Sequence, residues 1–300
     1  MEWYCQLMVV FLLIVVFSDS ELGEKMQNFS KQKEVIVCVD SDGCAMDTMN
    51  LKHEKCFGPC AVDTFHIEDR ERFLSLWNKI NLFSETRGCN RFKGLVLSLE
   101  EYGYQGDISI FKSWVSRTKE LSNRSLKQEI EISPSEDLTL ALRWSEQVNQ
   151  SIITLKEEFK TFPNVQQNLA FIKRFADVAV VSAANNEAII DEWGKYHLLE
   201  SVNIIFGQDQ GSKADSLNEL KKYGYLPENI LMVGDSPGDL FSAMANNVCF
   251  FPILCGFESQ SWQQLILEAL GKLVYGQFDT GYQQTLIEQF HHNLNTQSNN

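Results

Sequence analysis

The chain has 300 residues, of which 44% are hydrophobic, and it carries a formal net charge of −14 at pH 7. This length and apolar content suffice for one α/β core with an inserted subdomain. The negative charge argues against nucleic acid as a partner and against stable association with membranes, because both attract basic surfaces. Composition leaves the oligomeric state open.

The first predicted unit, residues 1–32, contains an apolar run at residues 7–17 that is too short to span a membrane. The run has the length of the apolar part of a signal peptide, but Glu2 precedes it and no Lys or Arg does. Two interpretations compete: an export or anchoring segment, or residues translated from a start upstream of a native Met26. We expect a cytoplasmic protein; a genuine signal segment would make it exported or membrane-anchored.

A second apolar run, rich in β-branched residues, ends at residue 39 and is followed by Asp40, Ser41, Asp42 and Gly43. Such a run predicts a buried parallel strand. Gly43 permits a sharp turn, and carboxylates at the carboxyl end of a buried strand lie where open α/β sheets bind ligands. Taken alone, the same residues are explained as well by a solvated turn.

Residues 51–159 form an insertion that is too long for a connecting loop. Apolar residues recur in it at helical spacing, in two stretches, which predicts helices. The two sets are Phe73, Leu74, Trp77 and Ile80, and then Leu138, Leu140, Ala141 and Trp144. Polar clusters at residues 122–125 and 132–136 are typical of helix junctions. The sequence therefore predicts a helical subdomain.

A basic segment stands out within this insertion of an acidic chain. Residues 86–94 place an asparagine and three cations around two glycines; the four polar residues are Arg87, Asn90, Arg91 and Lys93. If the segment faces a ligand crevice, these side chains are candidates for substrate binding, because a guanidinium suits bidentate contacts with carboxylate or phosphate. A solvated helix junction paired with nearby acids is an equally good interpretation.

Three further apolar runs each lead into a reactive polar side chain. They are residues 177–181, 202–206 and 230–233, followed respectively by Ser182, by a polar loop with Lys213, and by Asp235 and Asp239. Helix-like segments separate the runs, and this alternation predicts an α/β fold: a Rossmann-like, doubly wound parallel sheet. The side chains that follow the strands should then converge with Asp40 and Asp42 at one sheet edge.

The chain thus contains four polar signatures in order: Asp40 with Asp42, then Ser182, then Lys213, and finally Asp235 with Asp239. In this order they resemble the signatures of the haloacid dehalogenase superfamily, in the branch of phosphoglycolate phosphatase and beta-phosphoglucomutase. The resemblance covers residues 33–50 and 160–256, which it implies are the catalytic core. It further implies that residues 51–159 are a helical cap. Residues 257–300, beyond the resemblance, are predicted to be C-terminal helices and a polar tail.

The resemblance implies a hydrolase acting on phosphoric monoesters. By that similarity Asp40 attacks phosphorus to give an aspartyl-phosphate, and Asp42 is the general acid and base. Ser182 holds a phosphoryl oxygen, and Lys213 binds phosphate and offsets negative charge. Because the second acid must carry a proton at the right moment, we expect the pKa of Asp42 to be raised.

A magnesium ion is also implied by the resemblance, held by Asp40, the backbone carbonyl of Asp42, Asp235 and Asp239. Mg²⁺ prefers hard oxygen ligands and commonly bridges carboxylate to phosphate. Asp239 has a simpler alternative interpretation as a helix N-cap.

The expected substrate is a small phosphorylated metabolite, because a cap over the crevice excludes water and large partners. Two other functions stay open: a phosphomutase acting on sugar phosphates, and a non-catalytic protein that binds a phosphate ligand on the same scaffold. The sequence identifies neither the substrate nor the preferred divalent metal.

Overall fold

The computed structural model describes residues 29–155 and 159–297. The apolar run at residues 7–17 lies outside the described residues. Within them, no helix combines the length and the apolar composition needed to cross a membrane.

A five-stranded parallel sheet forms the centre of the fold. Its strands are β1 (Ile36–Val39), β4 (Asp177–Val181), β5 (Ile204–Phe206), β6 (Ile230–Gly234) and β7 (Cys249–Pro252). Their order across the sheet is β5-β4-β1-β6-β7. Each strand is buried along its whole length, which is why its sequence is a continuous apolar run and does not alternate. The predicted doubly wound α/β fold is confirmed.

Helices cover both faces of this sheet. They are α8 (Val165–Ile172), α9 (Asn186–Lys195), α10 (Lys213–Lys222), α11 (Pro237–Asn246), α12 (Glu258–Gln264), α13 (Leu270–Val274) and α14 (Thr280–Gln297). Successive side chains of β1 point to opposite faces. Val37 therefore joins one hydrophobic cluster, while Ile36 and Cys38 join the other.

The helical insertion runs from Met49 to Thr154 and has a hydrophobic core of its own, centred on Trp77, Trp144 and Phe92. Its helices are α1 (Met49–Lys52), α2 (Gly58–Thr64), α3 (Arg70–Leu82), α4 (Arg91–Tyr102), α5 (Ser109–Arg117), α6 (Asn123–Ile132) and α7 (Glu136–Thr154), with a π-helical turn at His53–Phe57. The two predicted apolar stretches fall in α3 and α7.

Both connections between the insertion and the sheet pass through a small antiparallel ribbon. Strand β2 (Met46–Asp47) precedes the insertion and pairs with β3 (Lys160–Thr161), which follows it. The sequence does not predict this ribbon, because strands of two residues carry no periodicity and their pairing is distant in the chain.

The C-terminal helix α14 covers strand β7, which lies at the edge of the sheet. The Gln283 side-chain oxygen accepts a hydrogen bond from the Phe250 N–H at 3.0 Å, and Phe290 packs edge-on against the Phe250 ring. An exposed strand edge offers free backbone groups to other chains. Helix α14, for which the sequence indicates no role, thus protects this edge. The helix also includes the first residues of the predicted polar tail.

At the amino-terminal end of the strands, the Asp177 carboxylate binds the backbone of the residues that precede β1. Its Oδ2 accepts hydrogen bonds from the backbone N–H groups of Gln32 (2.9 Å) and Lys33 (2.8 Å) and from the Tyr225 hydroxyl (2.5 Å). The Asp177 side chain is buried, so the loss of this acceptor would leave its donors without a partner.

We therefore expect Asp177→Ala to lower the free energy of unfolding by about 2–3 kcal/mol. Tyr225→Phe removes one of the three donors and should cost about 1 kcal/mol. Urea denaturation followed by far-UV circular dichroism checks both values. Equal losses in the two variants would contradict the multiple-acceptor role of Asp177.

Candidate active site

Asp40 lies directly beyond strand β1, at the carboxyl edge of the sheet. Its backbone N–H continues the ladder by donating to the Val233 carbonyl at 3.0 Å. Its carboxylate is buried; Oδ1 accepts from the Ser41 N–H at 2.7 Å, and Oδ2 lies 2.7 Å from the Lys213 ammonium. Both carboxylate oxygens are therefore fixed in direction.

The loop after Asp40 is held by its own backbone and by two buried tryptophans. The Ser41 carbonyl accepts hydrogen bonds from three successive residues, the last being Met46. The Trp193 indole N–H donates to Ser41 Oγ at 2.8 Å, and the Trp262 indole N–H donates to the Cys44 carbonyl at 2.9 Å. Indole groups need such a partner when they are buried, and here they fix the loop.

Lys213 is the first residue of α10, whose N-cap is Ser212. Its ammonium bridges two carboxylates, with Asp40 Oδ2 at 2.7 Å and Asp239 Oδ1 at 2.5 Å. Burial opposes the charged form of Lys213, but the Asp239 and Asp40 carboxylates outweigh it and raise the pKa of the amine. Lys213 is therefore a permanent cation in the site.

Asp235 and Asp239 flank the start of α11. Ser236 is the N-cap of this helix, and the Asp239 Oδ2 accepts from the Ser236 N–H (3.0 Å) and hydroxyl (2.8 Å). The interpretation of Asp239 as the N-cap is therefore wrong, since Asp239 is the third helical residue of a capping box. That box orients its carboxylate toward Lys213.

Three buried carboxylates, from Asp40, Asp235 and Asp239, offer oxygen atoms that all lie within 4.8 Å of one another. Burial raises the pKa of Asp40 to about 8; Lys213 opposes the rise and the two neighbouring acids add to it. Burial also raises the pKa of Asp235 to about 6, against the effect of Arg87. Burial, together with the mutual repulsion of the acids, therefore outweighs the charges of Lys213 and Arg87 at this cluster.

This donor set fits a hard divalent cation. Asp235 Oδ1 is buried and has no hydrogen-bond partner within the described residues. A buried carboxylate oxygen without a partner is costly, and Mg²⁺ takes its ligands from carboxylate oxygens and water. The Asp42 carboxylate does not belong to this cluster, so it offers no side-chain ligand alongside the other three.

Asp42 instead contacts the first residues of the insertion. Its Oδ1 lies 2.8 Å from the Lys52 ammonium and accepts a hydrogen bond from the Thr48 hydroxyl. Lys52 also pairs with Glu192 of helix α9 at 2.9 Å. The result is a polar chain that links the loop after β1, the helical insertion and a helix of the sheet domain.

The electrostatics of Asp42 differ from the expectation of a raised pKa. Burial favours its neutral form, but the charge and hydrogen bond of Lys52, with the Thr48 hydroxyl, outweigh burial and lower the pKa of Asp42. The expected direction is therefore wrong for this structure. The missed cause is Lys52, whose proximity to Asp42 no motif indicates.

Ser182 follows strand β4, the neighbour of β1 in the sheet. Its backbone N–H donates to the Phe206 carbonyl at 2.9 Å, and its buried hydroxyl oxygen accepts from the Ala184 N–H at 3.2 Å. The parallel register pairs Val39 with Val180, so Ser182 lies at the same sheet edge as Asp40. Within residues 29–155 and 159–297 the hydroxyl donates no hydrogen bond of its own, so its proton is available to a ligand at that edge.

The basic segment contributes four candidate residues. In the described part of the chain, Arg87 is the one among them that contacts the carboxylate cluster. Its Nη2 lies 2.7 Å from Asp235 Oδ2, its Nε donates to the same oxygen at 2.8 Å, and its Nη1 donates to the Leu82 carbonyl at 2.6 Å. Both charged side chains of this pair are 1% exposed. Arg87 is thus a buried counter-ion.

The other three candidates have contacts within the insertion or face solvent. Arg91 donates to Asn149 Oδ1 at 2.7 Å and lies over the Phe57 ring. Asn90 is the N-cap of α4, where its Oδ1 accepts from the Phe92 N–H. Lys93 is exposed. A role for these three side chains in binding substrate stays a prediction.

No sequence pattern indicates the role of Thr48 and Lys52, which contact Asp42, or of Glu192, which pairs with Lys52. Glu192 lies on an amphipathic helix, where an acidic residue would be assigned to the solvated face. Lys52 lies in a stretch with no recognisable motif. Thr48 and Lys52 lie 6 and 10 residues after Asp42, but Glu192 lies 140 residues from Lys52, and no motif signals that these side chains meet.

The family model of haloacid dehalogenase-like hydrolases matches residues 98–253, which is just over half of the chain. The chain therefore belongs to the haloacid dehalogenase-like hydrolase family and is an enzyme of that class. The matched range includes Ser182, Lys213, Asp235 and Asp239. The matched range begins after Asp40 and Asp42. The placement of these two residues beside the matched ones therefore comes from the structure and not from the family match.

Solved structures with a similar fold include three bacterial proteins. A predicted phosphoglycolate phosphatase from Haemophilus somnus has 15% identity and a TM-score of 0.47, with 74% of this chain and 85% of that chain covered. CbbY from Rhodobacter sphaeroides, in complex with phosphate, has 15% identity and a TM-score of 0.42, with 73% and 85% covered. A subfamily IA hydrolase of the HAD superfamily from Geobacter sulfurreducens has 15% identity and a TM-score of 0.38, with 75% and 89% covered. No curated protein matches the chain.

Gly43 leaves room for the pair between Arg87 and Asp235. Its φ is +80°, and a Cβ at this position would lie 2.3 Å from Asp235 Oδ2 and 2.8 Å from Arg87 Nη2. Gly103 has nearly the same φ, +79°, but nothing lies within 4 Å of its added Cβ. The two glycines therefore separate backbone strain from steric overlap.

Gly103→Ala should cost about 1 kcal/mol of unfolding free energy, which is the cost of a left-handed alanine. For Gly43→Ala we expect a further loss of about 1–3 kcal/mol, because the methyl group overpacks the buried ion pair. Parallel denaturation of the two variants measures this difference. Identical losses would mean that Asp235 and Arg87 move aside without cost.

Proposed function

We propose that the protein is a Mg²⁺-dependent phosphatase that hydrolyses a small phosphomonoester through an aspartyl-phosphate on Asp40. The observation that carries the proposal is the convergence of Asp40, Lys213, Asp235 and Asp239 at one sheet edge. A buried carboxylate with fixed oxygens, next to a permanent ammonium, is suited to attack the phosphorus of an anionic ester. Structural roles do not explain such a costly concentration of buried acids.

In the first displacement, an oxygen of Asp40 forms a bond to phosphorus while the bond from phosphorus to the leaving alcohol breaks. The Lys213 ammonium offsets the charge that gathers on the transferred group. The Ser182 hydroxyl donates to one of the phosphoryl oxygens. Asp42 gives the leaving oxygen its proton, for which a bound phosphate must raise the pKa of Asp42 by like-charge repulsion.

In the second displacement, water attacks the phosphorus of the aspartyl-phosphate, and the Asp40 carboxylate leaves. Asp42 accepts a proton from this water. The lowered pKa that Lys52 and Thr48 give Asp42 suits this step, since Asp42 must be ionised to act as a base. The balance of the two steps is one ester and one water consumed, one alcohol and one inorganic phosphate released.

The metal ion would be held by Asp40, Asp235 and Asp239, with the backbone carbonyl of Asp42 as a further ligand. When bound, it would neutralise the phosphate and the attacking carboxylate, so that they can approach each other. The raised pKa of Asp40 supports this need, because a nucleophilic carboxylate must be ionised near neutral pH.

We further propose that the helical insertion is a cap, with boundaries close to residues 51–159, and that it limits the substrate to small phosphorylated metabolites. Its Arg87 reaches the carboxylate cluster, so the insertion lies close over the crevice. A net charge of −14 supports the absence of nucleic acid and anionic membranes among the partners. We expect the enzyme to work in the cytoplasm.

Asp40→Asn should abolish release of inorganic phosphate from a panel of sugar, glycolate, nucleotide and polyol phosphates with Mg²⁺, because an amide is a poor nucleophile. Asp47→Asn is the matched control, since Asp47 is an exposed acid in the adjoining ribbon. We expect this control to retain wild-type turnover. Steady phosphate release supports a phosphatase, whereas isomerisation of sugar phosphates that needs a bisphosphate primer supports a phosphomutase. No turnover across the panel would favour a non-catalytic phosphate-binding protein.

Removal of divalent ions with a chelator should reduce turnover at least about a hundredfold, because the acidic cluster would then repel the phosphate. Added Mg²⁺ should restore it. Beryllofluoride with Mg²⁺ should form an adduct on Asp40 in the wild type and not in the Asp40→Asn variant, as detected by mass and by ¹⁹F NMR. Full activity after exhaustive chelation would contradict the metal requirement.

A further inference from the structure

Arg87 occupies one oxygen, Oδ2, of a carboxylate that the proposed metal site uses, and the other oxygen, Oδ1, has no hydrogen-bond partner within the described residues. Its guanidinium donates through Nε (2.8 Å) and Nη2 (2.7 Å) to one oxygen, Asp235 Oδ2, and Nε also lies 3.2 Å from the Asp235 carbonyl. The Leu82 carbonyl holds the remaining end of the guanidinium. The arginine is therefore positioned by the insertion and aimed at the core.

The surroundings leave little freedom around this contact. Gly43 approaches both partners, so that even one methyl group would overlap with Asp235 Oδ2. The next residue of the insertion, Gly88, has a φ of +67° and packs against Ser236, where an added Cβ would lie 2.7 Å from the Ser236 Cβ. Residues 84–90, here called the docking loop, thus lie directly on the turn that carries Asp235.

Charge balance gives the pair its meaning. In the described part of the chain, two cationic side chains, Lys213 and Arg87, contact the carboxylate cluster. Lys213 forms ion pairs with Asp40 and Asp239, and Arg87 forms one with Asp235. Asp235 depends on Arg87 for its compensation. A divalent cation at Asp235 would replace that compensation, and the close approach of two cations to one carboxylate is unfavourable.

We propose that Arg87 is an internal counter-ion that a divalent cation displaces from Asp235, so that metal loading releases the docking loop from the core. The inference rests on the proposed function, because it assumes that Asp235 is a metal ligand. It adds a competition between one cap arginine and the metal. Metal affinity and the position of the insertion are then coupled, each at the expense of the other.

Arg87→Met should bind Mn²⁺ at least about tenfold more tightly than the wild type, because the competing charge is gone. Binding is measured from the EPR signal of free Mn²⁺ in titrations of the full-length protein without substrate or phosphate. Arg117→Met is the matched control. It removes the same charge from the insertion, but Arg117 pairs with Glu129, and its Mn²⁺ affinity should equal that of the wild type.

If Arg87→Met fails to fold, Arg87→Lys replaces it. This variant keeps a charge but loses the second N–H to Asp235 Oδ2 and the anchor to Leu82. It should therefore bind Mn²⁺ more tightly than the wild type, by a smaller factor than expected for Met. Affinity equal to or weaker than that of the wild type in the folded variants overturns the proposal.

Hydrogen exchange separates displacement from simultaneous binding. In the wild type, saturating Mg²⁺ should accelerate amide exchange in residues 84–90 by at least about threefold, since the loop loses its contact with Asp235 and, within the described residues, keeps only the more exposed pair of Glu85 with His291 as a side-chain ion pair to the core. Tighter Mn²⁺ binding in Arg87→Met without this acceleration means that arginine and metal share Asp235, and that result also overturns displacement.

The same titrations distinguish failure of the inference from failure of the proposed function. Asp235→Asn should abolish Mn²⁺ binding. If the wild type binds Mn²⁺ through Asp235 but Arg87 has no influence, the inference alone is wrong. If neither the wild type nor the Arg87 variants bind Mn²⁺, both the inference and the metal-dependent function are wrong.

Discussion

The concentration of three buried carboxylates at one edge of the sheet is the constraint on which the rest of the site depends. Acids this close repel one another, and burial removes the water that would screen them. Cationic side chains offset part of this repulsion. Lys213 forms ion pairs with Asp40 and Asp239, and Arg87 forms one with Asp235. Even so, burial and the neighbouring acids keep the pKa values of Asp40 and Asp235 raised, against the effect of Lys213 and Arg87.

Local backbone devices make this arrangement precise enough to be useful. Ser212 and Ser236 each begin a helix beside the site, and their capping boxes fix Lys213 and Asp239 on the first turns. Trp193 and Trp262, which are distant from it in the sequence, fix the loop after Asp40 at Ser41 and Cys44. These hydrogen bonds cost little free energy, because the capping and indole bonds satisfy groups that would otherwise be unpaired.

The parts of the structure that the sequence predicted are those with a local signal. Continuous apolar runs identified the strands of the sheet, and because parallel strands end at a common edge, they also predicted which side chains would meet. Helical spacing around Trp77 and Trp144 identified the insertion as helical. The two-residue ribbon and the covering of strand β7 by α14 were missed, since both depend on pairing between distant segments.

The site itself divides in the same way. Motif residues at strand ends were recognised, whereas Lys52 and Glu192 were not, and a raised pKa was expected for Asp42 because its cationic partner was unknown. Arg87 was selected for its charge, yet its contact with Asp235 could not be inferred from composition. Electrostatic partners in a folded site come from anywhere in the chain, so a motif gives the acids without the charges that tune them.

The origin of those charges changes how the insertion is understood. Lys213 comes from the sheet domain, but Lys52 and Arg87 both come from the insertion, and they reach Asp42 and Asp235 respectively. A movement of the insertion that separated both pairs would leave Asp42 and Asp235 less compensated than before. Electrostatics opposes that separation, and another cation or a protonated ligand that took over the compensation would favour it. Because the insertion supplies counter-ions to two acids of the site, its contacts there depend on the charge of whatever binds beside them.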